Sequence, residues 1–133
     1  MYNIHTLVWR EAGMGSSTDK LNMICGRQLR SDLPKLAVGD TIKMKIRVQE
    51  ADKVRVHPYE GTVIRKTGGG VSSTFTIRKI SFGEGVERTF PTHSPIIESI
   101  QVVSKGQAHR ARLYYLRGRV GKKARVKKQL TEA

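Results

Sequence analysis

The chain has one cysteine, Cys25, so it can form neither an internal disulfide nor a cysteine-based metal site. Its histidines, His5, His57, His93 and His109, lie far apart, and none shares the i, i+4 spacing of a helical metal pair. No metal and no cofactor are expected. Aromatic residues make up only 6%, so a small aliphatic core built from Val, Ile and Leu is expected. No apolar run approaches the roughly 18 residues of a membrane span, and the first residues lack the basic start and apolar stretch of a secretion signal. A soluble, intracellular protein with no membrane partner is expected. The most informative scarcity is of acid: between Glu98 and Glu132 there is not one carboxylate.

Positive charge is what the chain has in excess. Against 11 Asp and Glu stand 25 Lys and Arg, a formal net charge of +14. Such self-repulsion calls for a polyanion. Ten of the 25 cations, but only one of the 11 acids, fall in residues 105–133. Phosphate binding needs cations without acids between them, because each contact releases condensed counterions; about five contacts would give log K against log salt a slope of roughly −4. A merely solvated face mixes both signs, and a membrane-surface segment needs a Trp, Phe or Leu face that is missing here. Ten like charges also resist compaction, so this tail is expected to order only when neutralised.

A chain of 133 residues fits one compact domain. Residues 1–26 read as a weakly structured extension with a short N-terminal helix of one or two turns. From Ile42 to Val48, apolar residues alternate with Lys43, Lys45 and Arg47, the period of a half-buried strand. Further strands are expected over 54–66, bent at Pro58, over 74–80, over 86–90 and over 96–103, with glycine and proline turns between them. Five short strands with a turn about every ten residues describe a mainly β protein, a small antiparallel barrel over residues 27–104. After it, Ala108, Ala111, Tyr115 and Leu116 recur at near-helical spacing, and Gly118 and Gly121 interrupt them. Residues 105–133 are therefore expected to be a basic, partly helical extension.

Two glycine-rich stretches do not make nucleotide sites. Gly68, Gly69 and Gly70 follow Lys66 in the wrong order for a phosphate loop, and Gly83 and Gly85 lack the third glycine of a dinucleotide site. The first reads instead as a hairpin tip flanked by Arg65 and Lys66. His93, beside Ser94 and near Glu87 and Glu98, fits turn chemistry better than acid–base catalysis. Tyr114 and Tyr115 sit inside the basic stretch; one could stack on a base while the other packs on the barrel.

Longer motifs resemble one family. Thr74-Phe75-Thr76-Ile77-Arg78-Lys79-Ile80-Ser81, Gly83-Glu84-Gly85-Val86-Glu87-Arg88 to Phe90, Thr92-His93-Ser94-Pro95, and Ala111-Arg112-Leu113-Tyr114-Tyr115-Leu116-Arg117 occur in the order found in ribosomal protein nineteen of the bacterial large subunit. The segments around 30–41 and 59–64 are similar too, so the resemblance covers about residues 28–130. His57-Pro58 departs from it, and residues 1–26 exceed the family's usual start. The resemblance implies an SH3-like barrel in the cytoplasmic ribosome, bound to large-subunit (23S) rRNA at the face toward the small subunit. It also implies neighbours in ribosomal proteins three and fourteen and a bridge to small-subunit (16S) rRNA. An architectural role follows, with no catalysis and no small-molecule substrate.

On this reading the phosphate contacts are Arg110, Arg112, Arg117, Arg119, Lys122, Lys123, Arg125, Lys127 and Lys128. Arg65, Lys66, Arg78, Lys79, His93 and Tyr114 are further RNA contacts. A free translation or transcription regulator with the same barrel is the alternative.

Overall fold

The computed structural model describes residues 17–129. Most of the extension expected over 1–26 lies outside them. Helix α1, Ser17–Arg27, is three turns long, with Asp19 in its first turn and Arg27 in its last, each placed to complement the helix dipole. It buries none of its residues, and Leu21, Met23 and Ile24 are each more than half exposed.

Five strands follow: β1 (Thr41–Glu50), β2 (Lys53–Thr67), β3 (Thr74–Ser81), β4 (Glu84–Pro91) and β5 (Ile97–Ser104). They form one antiparallel sheet in the order β4-β3-β2-β1-β5. The alternation in β1 is realised as expected: Ile42, Met44 and Ile46 are buried and Lys43, Lys45 and Arg47 are exposed. Strand β2 is the organiser, because residues 53–62 pair with β1 while 62–67 pair with β3. The handover falls beside Gly61, where a Cβ would lie 2.6 Å from the Arg78 carbonyl oxygen, so only glycine lets β3 approach this closely.

One core collects Ile42, Met44 and Ile46 of β1, Tyr59 and Val63 of β2, Phe75 and Ile77 of β3, Phe90 of β4, and Ile97 and Ile100 of β5. Both edge strands thus reach the same cluster, which a flat sheet would not allow. Chain length agrees. Five strands spaced about 4.8 Å apart put the edges about 19 Å from each other. Only residues 92–96 join β4 to β5, and the Ile97 amide bonds back to the Ser94 carbonyl in a turn. The sheet must curl to be spanned by so short a link.

It does not close. Among the described residues, β4 and β5 do not pair with each other, so the expected barrel is an open, curled sheet. The register favours this outcome: β5 is bulged twice against β1, and among the described residues β3 is the one strand that β4 pairs with. The bulge at Lys45/Ile46 skips Glu98 and lets Ile97 and Ile100 face the core although they are three residues apart.

Ile64 follows Val63 and so faces the opposite side of β2, as strand alternation requires, and a third bulge between Val63 and Arg65 shifts the pairing with β3 just beyond it. Val63 and Ile64 are both fully buried, in different cores. Ile64 belongs to a second cluster with Leu113 and Leu116, flanked by half-buried Val38, Ala108, Tyr114, Tyr115 and Val126. The basic extension is therefore laid over the outer face of the sheet. Its expected helix is replaced by two short 3-10 turns, Tyr114–Gly118 and Gly121–Ala124, with extended chain around them. Gly118 and Gly121, the latter at φ 67°, interrupt any helix, and no carboxylate stands four residues from an arginine to support one.

Candidate nucleic-acid interface

Residues 105–129 form a closed loop. Gly106 bridges to Lys128, with Gln107 N–H donating to the Lys127 carbonyl at 2.8 Å and Gln129 N–H to the Lys105 carbonyl at 2.8 Å. Its start is tied to the sheet through Asp40, a buried carboxylate that accepts from Ala37 N–H at 3.0 Å and from Gly106 N–H at 3.2 Å. Gly106 rests on the backbone of Gly39, leaving no space for a side chain. Midway, Leu113 N–H donates to the Ile64 carbonyl at 2.9 Å and Arg112 bridges to Arg65. Two fully buried leucines, one bulge and one short ladder hold a segment whose charges alone would drive it off.

All nine cations expected to hold phosphate are exposed. Only Arg117 is paired with a carboxylate among the described residues: its guanidinium donates to both oxygens of Glu87, at 2.8 and 2.6 Å. The others either stack or extend. Arg110 and Arg119 lie 5.7 and 4.6 Å from the Tyr115 ring, and Arg117 lies 4.4 Å from Tyr114. Stacking on tyrosine holds a planar guanidinium still while leaving its N–H edge open to phosphate. Both tyrosines are half-buried against the second core, so each combines packing with a cation rest. Lys122, Lys123, Arg125, Lys127 and Lys128 meet no carboxylate among the described residues.

The secondary candidates divide. Arg78 and Lys79 join Arg125 and Lys128 in a groove of about 540 Å³ between β2, β3 and the returning loop, with Glu60 its one acid. Arg78 is partly spent, since it donates to Glu87 at 3.0 Å. Lys79 also sits 4.5 Å over the Tyr59 ring. Lys66 reaches the Leu36 carbonyl at 3.3 Å, and Arg65 donates to Thr67 at 2.9 Å. His93 is brought together with none of these. Its Nδ1 accepts from the Arg30 N–H at 3.0 Å, and the Arg30 side chain donates to the Ser94 carbonyl at 3.2 Å while pairing with Asp32 at 2.7 Å. The His93 loop is thus latched to the chain entering the sheet, and that pairing holds the Asp32 carboxyl below its usual range.

A sequence model of the family described as ribosomal protein L19 matches residues 19–129. The large ribosomal subunit protein bL19 of Clostridium beijerinckii is 54% identical over 111 residues, which cover 84% of this chain and 96% of that protein. The namesake from Clostridium novyi is 47% identical over 112 residues, 84% and 97% of the two chains. The chain belongs to the ribosomal protein L19 family. Its members are ribosomal structural proteins and not enzymes, which leaves the His93 loop to turn chemistry.

Within this L19 chain, sequence reasoning missed Glu87, Leu113, Ile64 and Arg30. Leu113 and Leu116 carried a faint signal, two leucines three apart in an otherwise polar stretch. Glu87 carried none, because its partner Arg117 is thirty residues away. Its carboxyl is held below the ordinary range, first by the Arg117 hydrogen bonds and then by Arg78, against the opposing effect of burial. A depressed folded-state pKa stabilises the fold above the ordinary glutamate pKa near about 4.3, and the contribution is lost as pH falls through the lower folded value. Below that point Arg117 loses its anchor. We expect the thermal midpoint of the parent to drop more steeply between about pH 5 and pH 3 than that of Glu87→Gln, which should already be less stable at pH 7. Parallel curves would show that the Glu87–Arg117 pair does not stabilise the fold.

Proposed function

We propose that this protein is a structural constituent of the large ribosomal subunit that binds 23S rRNA through the closed loop 105–129. The observation that carries the reading is the loop's construction: apolar residues dock it on the sheet, and eight of its nine candidate cations are left without a carboxylate partner among the described residues. A buried apolar anchor under an unneutralised basic surface is what an rRNA-binding element needs, because phosphates then complete a charge balance the fold leaves open. Arg110, Arg112, Arg119, Lys122, Lys123, Arg125, Lys127 and Lys128 take the phosphates; Arg117 contributes less, because both carboxylate oxygens of Glu87 already hold it. Arg65, Lys66, Arg78, Lys79, His93 and Tyr114 are lesser contacts.

In this reading residues 27–104 are the scaffold and 105–133 the RNA-binding extension. The curled five-stranded sheet around one core supports placing the scaffold in the SH3-like class. The family resemblance supports a position in the cytoplasmic ribosome at the face toward the small subunit, beside ribosomal proteins three and fourteen, with a bridge to 16S rRNA. Large subunits assembled with and without the protein test this. Those lacking it should join small subunits less completely in sucrose gradients at limiting magnesium. Identical profiles would remove the bridge, and loss of the protein from isolated large subunits in a modest salt wash would remove the constituent role.

A further inference from the structure

The hairpin joining β3 to β4 turns through Phe82 and Gly83, both in the left-handed region at φ 51° and 83°. A two-residue turn of this kind suits asparagine or glycine, and a bulky aromatic residue at its first position is strained. The strain gains nothing within the fold, because the Phe82 residue is 104% exposed, as open as an isolated chain. Scattered surface apolar residues are ordinary; one that combines strain with complete exposure at a hairpin tip points outward for a use.

Behind the tip, Thr76 and Thr89 are hydrogen-bonded across the strands at 2.9 Å, and Arg78 and Glu87 at 3.0 Å. Two residues before Phe82, the exposed Ile80 lines the groove that also holds Arg78, Lys79, Arg125 and Lys128. An aromatic finger at the end of a cationic groove matches a single-stranded polyanion whose charge runs along the groove and whose bases are free to stack. A protein pocket for Phe82 would be apolar and would have no use for those four cations.

We propose that Phe82 stacks on an unpaired rRNA base while the adjoining phosphates lie in the groove. The assignment rests on the RNA-binding reading above and adds a contact that charge does not supply. Stacking depends on the aromatic face and contributes affinity without releasing counterions, so it is separable from the phosphate contacts by salt.

The test measures binding to 23S rRNA across a salt series for the parent, Phe82→Leu, Phe82→Asn and, in a Trp9→Phe background, Phe82→Trp. Leu and Asn should each lower affinity about tenfold at every salt concentration and leave the slope unchanged. Asn should also raise the thermal midpoint, because it relieves the turn, which separates lost binding from lost folding. Trp should retain affinity, and its emission should be quenched by RNA. Parent-like affinity of the Leu variant, a changed slope in Leu and Asn, or unquenched Trp emission would each overturn the stacking while leaving the RNA reading in place. A parent that does not bind 23S rRNA at any salt concentration would end both.

Discussion

Replacing Leu113 and Leu116 by alanine is expected to release the basic loop from the sheet while the main core stays folded. Both leucines are buried, at 0% and 2% exposure, and with Ile64 they make up the fully buried part of the second cluster. Truncating a buried leucine costs about 2–5 kcal/mol, and the second core has little else to absorb the loss. The loop is meanwhile under electrostatic tension from its own cations, so the leucines oppose a force that grows as salt is lowered. The double variant should therefore lose protection of the Leu113 amide from hydrogen exchange, and trypsin should cut first within 105–129. The Ile42, Met44 and Ile77 strands should remain protected. Affinity for 23S rRNA should fall although no charge has been removed, because a released loop must be ordered again on binding. Unchanged protection at Leu113 would show that the Ile64 bridge and the Gly106 ladder suffice without the second core.

That experiment turns on residues the charge pattern concealed. Period-two alternation in β1 made its inward face readable, and glycine and proline turns set all five strands close to their observed limits, because both are local signals. What covers the second face of a strand is not local. Alternation sets Ile64 opposite Val63, but its partners Leu113 and Leu116 lie about fifty residues away, so a second core was invisible in a run of apolar residues that one strand explains. The open sheet has the same origin: strand count suggested closure, whereas closure depends on whether the edge strands meet, and β5 and β4 do not. The helix expected near Ala108 to Leu116 failed because its spacing reflected contact with the sheet through Leu113, Leu116 and the tyrosines. Among the candidate contacts, the exposure of the nine loop cations was legible from composition alone. What composition could not show was that Glu87 neutralises one of them and that Arg30 occupies His93.

The nine cations are consequently unequal, and salt dependence should reveal it. Converting Arg110, Arg112 and Arg119 to alanine removes three guanidiniums that have no carboxylate partner among the described residues. If each neutralises a phosphate, the slope of log K against log salt should flatten by up to about three units, with affinity falling most at low salt. Arg110 and Arg119 rest on Tyr115, outside the fully buried core, so their removal should leave the fold's thermal midpoint nearly unchanged. Arg117→Ala should behave in the opposite way. Its charge is already balanced by Glu87, so RNA gains less by displacing it and the slope should hardly change, while the midpoint should fall because the loop loses its ionic tie to β4. Equal slopes for the parent and the triple variant would take these arginines out of the interface. A full unit lost in Arg117→Ala would mean that RNA pulls Arg117 away from Glu87, making that ion pair a latch that opens on binding.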